Sequence, residues 1–233
     1  MAINETSTIA EVAAEYPASV RVFQRYGIDF CCGGKRAVRD ACEEQGLSFE
    51  EIEKAIVGAG PRADDARDWN HVPLRELTEH IVRTYHDSLR EDLPRLAQMA
   101  AKVADVHREK LPTAARLRDA LDELSTELHQ HMWKEEMILF RAIRAIEAGA
   151  VTAAMGISAP IAVMEEEHDH AGRLLAELRQ LSGDYVVPEW GCATVRALYA
   201  GLAELEASMH LHVHLENNIL FPRALQLASA STV

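Results

Sequence analysis

The chain carries one ten-residue pattern twice, as HMWKEEMILF at residues 131–140 and as HVHLENNILF at residues 212–221. Both copies read His-x-x-x-Glu-x-x-Ile-Leu-Phe, and they begin 81 residues apart. Residues four apart lie about 40° from each other around an α-helix, so the His and the Glu of each copy leave the same face one turn apart. An imidazole nitrogen and a carboxylate that can bridge two cations suit iron or another borderline transition metal.

Each His/Glu pair falls inside an apolar stripe. Residues at the same offsets precede His131 and His212 at helical spacing: Leu117, Leu121, Leu124 and Leu128 in the first copy, and Leu198, Leu202, Leu205 and Met209 in the second. A buried carboxylate needs a partner, because leaving it unpaired is very costly. One such pair alone would favour a buried His–Glu hydrogen bond. Two identical pairs favour a metal site.

Two more predicted helices each carry one inward histidine. His86 and His168 both precede an aspartate, and they lie 45 and 44 residues before the two motif histidines. The chain therefore has two similar halves and is predicted to be all-α, an antiparallel four-helix bundle with a polar middle layer. Four imidazoles and two carboxylates suit two metals bridged by both Glu, with positions open for an oxygen bridge or a small ligand. The predicted ligands are His86, His131, Glu135, His168, His212 and Glu216.

The remaining histidines are predicted to lie outside this layer. His107 is 21 residues beyond His86, about 31 Å along a continuous helix at 1.5 Å per residue, so we place it near the helix end. His210 and His214 flank His212 at about 200° around the helix, towards solvent. We expect surface or outer-layer positions for three others, which also point away from their stripes: His80, His129 and His170.

A ferritin-like di-iron centre is the nearest structural alternative. It would need a Glu-x-x-His motif from each of two helices. Only Glu165-x-x-His168 fits on a bundle helix, and no second copy lies opposite it. The histidine-rich set instead resembles the hemerythrin-like (HHE) cation-binding domain over about residues 74–228.

The first part of the chain is predicted to be a separate small helical unit. We assign residues 1–58 to this unit, 59–72 to a linker rich in Gly, Pro, Asp and Arg, and 73–228 to the bundle. Thr8 and Ser48 are predicted helix caps, and Pro17, Gly27 and Gly46 mark predicted helix ends. Because so short a unit has a small core, we expect it to dock against the bundle.

Cys31 and Cys32 are the chemically distinctive residues of this unit. A disulfide between adjacent cysteines is strained, so a structural bridge is not expected. A loop thiol before a helix N-terminus and beside Lys35 would have thiolate character, which suits redox chemistry or contact with a soft metal. The alternative is two small buried side chains at a Gly-Gly turn. Cys42 and Cys192 are predicted to be inert packing residues.

The segment YGIDFCCGG at residues 26–34, followed by such a bundle with LENNILFPRA at residues 215–224, resembles the iron–sulfur cluster repair di-iron proteins, also called repair of iron centres. The resemblance spans nearly the whole chain. It implies a cytoplasmic protein with two non-haem iron ions that restores clusters damaged by nitric oxide or peroxide, with damaged iron–sulfur proteins as partners. The six predicted ligands match the family's positions.

Three functional classes follow from this resemblance. The first is a repair protein that supplies iron, which the Cys-Cys unit favours. The second is a binder or sensor of nitric oxide or oxygen. The third is an enzyme, a di-iron nitric oxide reductase or peroxidase. The sequence does not separate the first class from the third, and it does not decide between a monomer and a homodimer.

Composition excludes other classes. The 233 residues include 24 Lys+Arg and 37 Asp+Glu, a net charge of −13, which argues against a nucleic-acid partner. No run of about 18 apolar residues predicts a membrane span. No secretory signal is visible at the N-terminus, and four cysteines fit a reducing cytoplasm.

Overall fold

The computed structural model describes residues 3–60, 67–150 and 156–230. Within these ranges the regular elements are helices, and strand pairing is limited to one isolated bridge between Thr8 and Ala37. The predicted all-α fold is confirmed. No helix in the described ranges combines the length and the apolar character needed to cross a bilayer.

Four short helices form the N-terminal unit: α1 (Ile9–Glu15), α2 (Pro17–Tyr26), α3 (Val38–Glu44) and α4 (Phe49–Ala59). Both predicted caps are present, because Thr8 and Ser48 accept hydrogen bonds from backbone N–H groups at the starts of α1 and α4. Glu11 and Glu51 accept from the cap backbone in return, so both ends are capping boxes, of which the one at Ser48 was predicted. Gly27, with φ of 67°, ends α2 in the left-handed conformation that glycine adopts without steric cost. Pro17 ends α1 as predicted and also begins α2.

The bundle consists of four long helices, here called A to D. Helix A comprises α5 (Leu74–Ile81), a π-helical turn (Val82–His86) and α6 (Asp87–Val106). Helix B comprises α7 (Ala114–Lys134), a π-helical turn (Glu135–Leu139) and α8 (Phe140–Glu147). Helix C is α9 (Ser158–Leu181). Helix D comprises α10 (Ala193–Leu215), a π-helical turn (Glu216–Leu220) and α11 (Phe221–Ala230). Helices A and B, B and C, C and D, and D and A are neighbours.

The three π-helical turns all lie at the level of the predicted metal layer. A π-helical turn accommodates one residue more than an α-helical turn, and such turns are frequent at functional sites. In helix B the turn changes which residues face inward after Glu135. Leu139 and Phe140 are buried, whereas Ile138 is 52% exposed. Regular α-helices were predicted here, so these turns were not foreseen from the sequence.

The polar layer separates two apolar clusters. One cluster is built around Leu77, Ile81 and Phe140. It fills the end of the bundle at which helix A begins and helix D ends. The other cluster fills the opposite end and continues into the N-terminal unit, where Phe23 and Phe30 are fully buried. The expected docking of the unit on the bundle is therefore present. The domain bounds 1–58, 59–72 and 73–228 stay a prediction, and residues 61–66 of the linker lie outside the described ranges.

Candidate metal centre

All six predicted ligands meet in one buried layer at mid-bundle. Helices A and C each supply one histidine, and helices B and D each supply a histidine and a glutamate. Their exposed fractions do not exceed 3%. The six residues are His86, His131, Glu135, His168, His212 and Glu216.

The layer divides into two clusters that share both carboxylates. The Nε2 atoms of His86 and His212 are 3.2 Å apart, and those of His131 and His168 are 3.0 Å apart. Glu135 Oε2 lies 3.3 Å from His86 Nε2 and 3.3 Å from His131 Nε2, one in each pair. Glu216 Oε1 lies 3.1 Å from His212 Nε2, and its Oε2 lies 3.1 Å from His168 Nε2. Two cation-sized groups of ligand atoms result, with each Glu placed between them.

The electrostatics of the layer favour ionised carboxylates. Burial alone would raise the pKa of Glu135, but His131 and His86 hold that pKa well below its ordinary value. Burial and the charge of Glu135 would raise the pKa of Glu216, but His212 and His168 bring it to a net lowering. Burial alone would lower the pKa of His131, yet Glu135 raises it to about 10. The pKa of His86 is also raised, by Glu135 against the effect of burial, so positive charge on His131 and His86 balances the buried glutamates, whereas burial lowers the pKa of His212.

Several buried ligand atoms lack a hydrogen-bond partner among the described residues. They are Glu135 Oε1, Glu135 Oε2, Glu216 Oε2 and His212 Nδ1. Orphaned buried carboxylate oxygens are rare, since each forfeits its hydration without a replacement. Glu135 Oε2 and Glu216 Oε2 lie 3.1 to 3.3 Å from inward Nε2 atoms, where bound cations would satisfy them. The donor set therefore fits a pair of borderline metal ions.

Outer partners orient three of the four imidazoles. His86 Nδ1 lies 2.7 Å from Glu136 Oε1, and His131 Nδ1 lies 2.9 Å from Glu167 Oε2. Both carboxyls have lowered pKa values: hydrogen bonding to His131 is the main cause at Glu167, and hydrogen bonds from His86 and Arg90 outweigh burial at Glu136. Carboxylates in this position fix the ring orientation and direct Nε2 to the layer.

The third outer partner is an amide. His168 Nδ1 lies 2.8 Å from Asn217 Oδ1. None of the three outer partners was predicted from the sequence. The repeat itself held a signal for two of them, because Glu136 and Asn217 occupy the same position, one residue after the motif glutamate.

Aromatic rings pack on the imidazoles of the layer. Two of these rings belong to the phenylalanine that ends each copy of the repeated motif. Phe140 stacks on His86 with ring centroids 5.9 Å apart, and Phe221 stacks on His168 at 6.0 Å. Tyr85 stacks on His212 at 5.2 Å, and burial raises the pKa of its phenol to about 12. The motif phenylalanines therefore belong to the walls of the layer.

A cleft of about 430 Å³ between helices B and C reaches the layer from outside. His131 and His168 line its inner end, and Lys134 and Glu167 form an ion pair beside them. This cleft is the candidate entry route to one of the two clusters. Glu165, the residue that a ferritin-like site would have used, pairs with Lys35 at 3.6 Å on the surface and lies outside the layer.

The segment between α2 and α3, residues 27–37, carries Cys31 and Cys32 and is here called the Cys-Cys loop. It lies on the other side of helix C. Cys32 Sγ contacts the His168 carbonyl oxygen at 3.6 Å, and the two sulfurs of Cys31 and Cys32 are 3.6 Å apart. Both cysteines line a second cleft of about 1010 Å³ between the N-terminal unit and helices C and D. The loop is thus adjacent to the metal layer.

The predicted thiolate character is wrong for Cys31. Its side chain is buried, and the hydrogen bond with Cys32, burial and the negative charge of Asp29 raise its pKa well above the ordinary value. Lys35, which was expected to lower that pKa, points to Glu165 instead. Asp29 was overlooked, although it accepts hydrogen bonds from the backbone N–H groups of Cys31, Cys32 and Gly33 and so shapes the loop.

The expectation that His210 and His214 face solvent is wrong for His214. It is buried, packs edge-on against Phe30 at 5.6 Å, and burial lowers its pKa to about 4. His210 is partly buried against the same ring. Helical periodicity gave the right angle relative to His212, but the N-terminal unit covers that face. His129 is exposed, and His80 and His170 are partly exposed.

His214 predicts acid sensitivity of the docked unit. Its pKa is about 4 in the folded chain and about 6.5 when unfolded. A histidine with a depressed folded pKa contributes stability that is complete above pH 6.5 and is lost as pH falls towards 4. At 1.36 kcal/mol per pKa unit, the free energy of unfolding of the metal-free protein should fall by about 2 kcal/mol between pH 7.5 and pH 5 through this residue.

Urea unfolding of His214→Gln at both pH values measures that loss. The variant should lose about 2 kcal/mol less than the wild type, whereas the exposed-site variant His129→Gln should behave like the wild type. An unchanged pH dependence in His214→Gln would contradict the assignment.

His107 and Cys192 form a pair at the far end of the bundle. His107 lies at the end of α6, outside the layer as predicted, with Nε2 3.3 Å from Cys192 Sγ. Cys192 precedes α10, where the backbone N–H of Val195 and the side chain of His107 lower its pKa to about 7. The expectation that Cys192 is inert is therefore wrong. Cys42 is buried, and burial raises its pKa, in keeping with a packing role.

We expect Cys192 to be alkylated by iodoacetamide at pH 7 about tenfold faster than an unperturbed thiol, because about half of it is thiolate against a few per cent at a pKa of 8.5. Peptide mapping by mass spectrometry after short exposure gives the rates. His107→Gln should slow the reaction. Faster labelling of buried Cys42 than of Cys192 would contradict the prediction.

The fold and the layer together define a metal-binding four-helix bundle of the hemerythrin type, with a cysteine-bearing helical unit docked beside its centre. Residues 77–224 match the model of the hemerythrin HHE cation-binding domain, and residues 5–59 match that of a domain of unknown function, DUF542. The iron–sulfur cluster repair protein YtfE of Pectobacterium atrosepticum is 40% identical to this chain over 220 residues, which are 94% of this chain and 96% of the length of that protein. The protein of the same name from Edwardsiella ictaluri is 43% identical over 93% of this chain and 96% of its own.

The chain therefore belongs to the hemerythrin HHE family and, within it, to the family of these iron–sulfur cluster repair proteins. As a member of a cation-binding family it is a metal-binding protein.

Proposed function

We propose that this protein restores iron–sulfur clusters damaged by nitrosative or oxidative stress, and that it does so by supplying iron from a di-iron centre. The observation that carries the proposal is the buried layer, in which each of two glutamates contacts both histidine pairs and orphaned carboxylate oxygens face the space between them. The names of the relatives supply the repair role. Partners would be damaged iron–sulfur proteins in the cytoplasm.

The proposed ligands are His86 and His212 for one iron and His131 and His168 for the other, with Glu135 and Glu216 between the two. Bound iron would supply open positions for an oxygen bridge or a small ligand, and it is also the ion to be delivered. The protein's own contribution is to hold the imidazoles with Nε2 inward, to keep both carboxylates ionised, and to surround the layer with apolar side chains.

A second function, binding or reduction of nitric oxide or oxygen at the same centre, is favoured by one observation. The cleft between helices B and C ends at His131 and His168, so a diatomic molecule can reach that cluster without displacing a helix. An iron donor needs an exit for the ion, whereas a gas binder needs only this small opening.

Anaerobic transfer distinguishes the two functions. The iron-loaded protein is incubated with a cluster protein that nitric oxide has damaged, and recovery of the cluster is followed together with iron lost from the donor and nitric oxide consumed. Repair predicts that cluster recovery is matched by iron loss. Consumption of nitric oxide without iron loss would replace the first function with the second.

Cys32 gives a sharper test of the repair role. Its thiol is partly exposed, lines the larger cleft and touches the backbone of His168, whereas Cys31 is buried beneath it. We propose that Cys32 guides iron out of the layer, so Cys32→Ser should lower the transfer rate several-fold and leave the iron content unchanged. Cys42→Ser is the matched control. Repair at the wild-type rate would mean that Cys32 has only a packing role. Loss of iron from Cys32→Ser would mean that the Cys32 thiol is itself a metal ligand.

A further inference from the structure

The two halves of the bundle differ at the residue that follows each motif glutamate. Glu136 follows Glu135 on helix B and accepts from His86 Nδ1, while Asn217 follows Glu216 on helix D and accepts from His168 Nδ1. A carboxylate serves the first histidine and an amide the second. Unlike the carboxylate, the amide is uncharged and has hydrogen-bond donors.

Asn217 uses that donor to hold the Cys-Cys loop. Its Nδ2 donates to the carbonyl oxygen of Cys31 over 3.0 Å. The neighbouring Asn218 Nδ2 donates to the carbonyl oxygen of Phe30 over 2.8 Å. Cys32 Sγ rests on helix C, where a Cβ added at Gly172 would lie 3.5 Å from the sulfur. A loop from the N-terminal unit is thus tied to a side chain that orients a ligand.

The loop carbonyl determines which way the amide faces. A carbonyl oxygen only accepts hydrogen bonds, so Asn217 must present its NH₂ group to Cys31 and its Oδ1 to His168. His168 must then carry a proton on Nδ1, so Nε2, which lies 3.1 Å from Glu216 Oε2, is the nitrogen left to bind a metal ion. With the loop displaced, the amide is free to turn its NH₂ group to Nδ1. That arrangement favours the tautomer protonated on Nε2, which cannot bind a metal.

We propose that Asn217 is a positioning residue that couples docking of the Cys-Cys loop to metal retention at the His131/His168 cluster. The proposal rests on the di-iron function above and adds to it a means of release. A partner that draws the loop away from helix C would weaken one iron and leave the other held. The His86/His212 cluster is outside this control, because Glu136 orients His86 from within the bundle and no described side chain hydrogen-bonds His212 Nδ1.

Stepwise iron release from the full-length, iron-loaded protein tests the coupling. A ferrous chelator is added anaerobically, and the two irons are followed by absorbance. Gly172 is not a ligand, and a Cβ there would already contact Cys32 Sγ, so we expect the larger side chain of Gly172→Leu to displace the loop. Asn218→Leu is a second displacing variant. Faster alkylation of Cys32 verifies displacement. Each displacing variant should release one iron about tenfold faster and the other at the wild-type rate, in line with the 10–100-fold effects of outer partners.

Asn217→Asp separates tautomer control from simple loosening. A carboxylate accepts from Nδ1–H in either orientation and cannot donate to Cys31, so it should keep His168 competent with the loop displaced. Gly172→Leu should therefore speed release in the wild-type background and have less than a twofold effect in the Asn217→Asp background. Equal acceleration in both backgrounds, or none in either, would overturn the proposal.

The metal-free protein gives a reading that does not depend on iron. Nitrogen-15 NMR of the histidine rings should show a proton on Nδ1 of His168 in the wild type and in Asn217→Asp. Gly172→Leu should shift His168 towards the Nε2–H form. A wild type that binds fewer than two irons would refute the di-iron function, whereas an unchanged His168 tautomer in Gly172→Leu would refute the coupling alone.

Discussion

Removal of either shared glutamate is expected to empty both metal positions. Glu135 and Glu216 each contact one histidine of both pairs at 3.1 to 3.3 Å, so Glu135→Ala or Glu216→Ala takes one ligand from each iron at once. We expect iron after anaerobic purification to fall from about two per chain to well below one. Each lost carboxylate also removes a negative charge that offsets the repulsion between two neighbouring cations, and the neutral imidazoles cannot replace that charge.

Matched variants separate ligand loss from general damage. His107→Ala removes a histidine at the far end of helix A, and Glu165→Ala removes a partly exposed carboxylate on helix C, so both should keep two irons. Glu216→Gln preserves the shape of the side chain and removes its charge, and it should lose iron almost as fully as the alanine variant. A stable single iron in Glu135→Ala would show that this carboxylate serves one position only.

The sequence predicted which six residues meet because the layer is built by local periodicity that occurs twice. His131 and Glu135 share a helix, as do His212 and Glu216, and His86 and His168 precede them at nearly equal distances. Antiparallel packing of four helices then brings the six to one level. That they are metal ligands stays a prediction.

The π-helical turns were missed, although the spacing of buried residues carried a signal. In helix B the buried positions run 131, 135, 139 and 143, and in helix D they run 212, 216, 220 and 224. Three successive steps of four residues advance about 120° beyond three full turns of an α-helix, so a regular helix would turn the last of these positions a third of a turn away from the first. The buried positions of helix C are spaced alternately by three and four residues on either side of His168, and helix C has no π-helical turn.

The errors at Cys31 and His214 have one physical cause. Helical periodicity gives angles within one helix, whereas both residues owe their burial to contact between the N-terminal unit and the bundle. Asp29 and Asn218 determine that contact through hydrogen bonds to backbone groups of the loop. Nothing in the spacing of either segment predicts which side of the bundle the unit covers.

Metal removal is expected to cost stability at the middle of the bundle. Without cations, six buried polar side chains must satisfy one another, and several oxygens of Glu135 and Glu216 have no hydrogen-bond partner among the described residues. A ligand present at 100 times its Kd stabilises the folded state by about 2.7 kcal/mol per site, so two sites contribute about 5 kcal/mol. For a chain of this size each kcal/mol corresponds to about 2–4 °C, and the unfolding midpoint should fall by about 10–20 °C.

The loss should also be local, and hydrogen exchange can locate it. Amides of the π-helical turns Glu135–Leu139 and Glu216–Leu220 should exchange faster in the metal-free protein, because these turns carry the ligands and pack beside the smaller apolar cluster. Amides of α7 near Leu117 and Leu121, deep in the larger cluster, should change little. The Glu135→Ala/Glu216→Ala double variant should show no shift of the unfolding midpoint on addition of iron. Equal midpoints for the iron-loaded and metal-free wild type would mean that apolar packing alone preorganises the layer, and the iron would then leave without loosening the bundle.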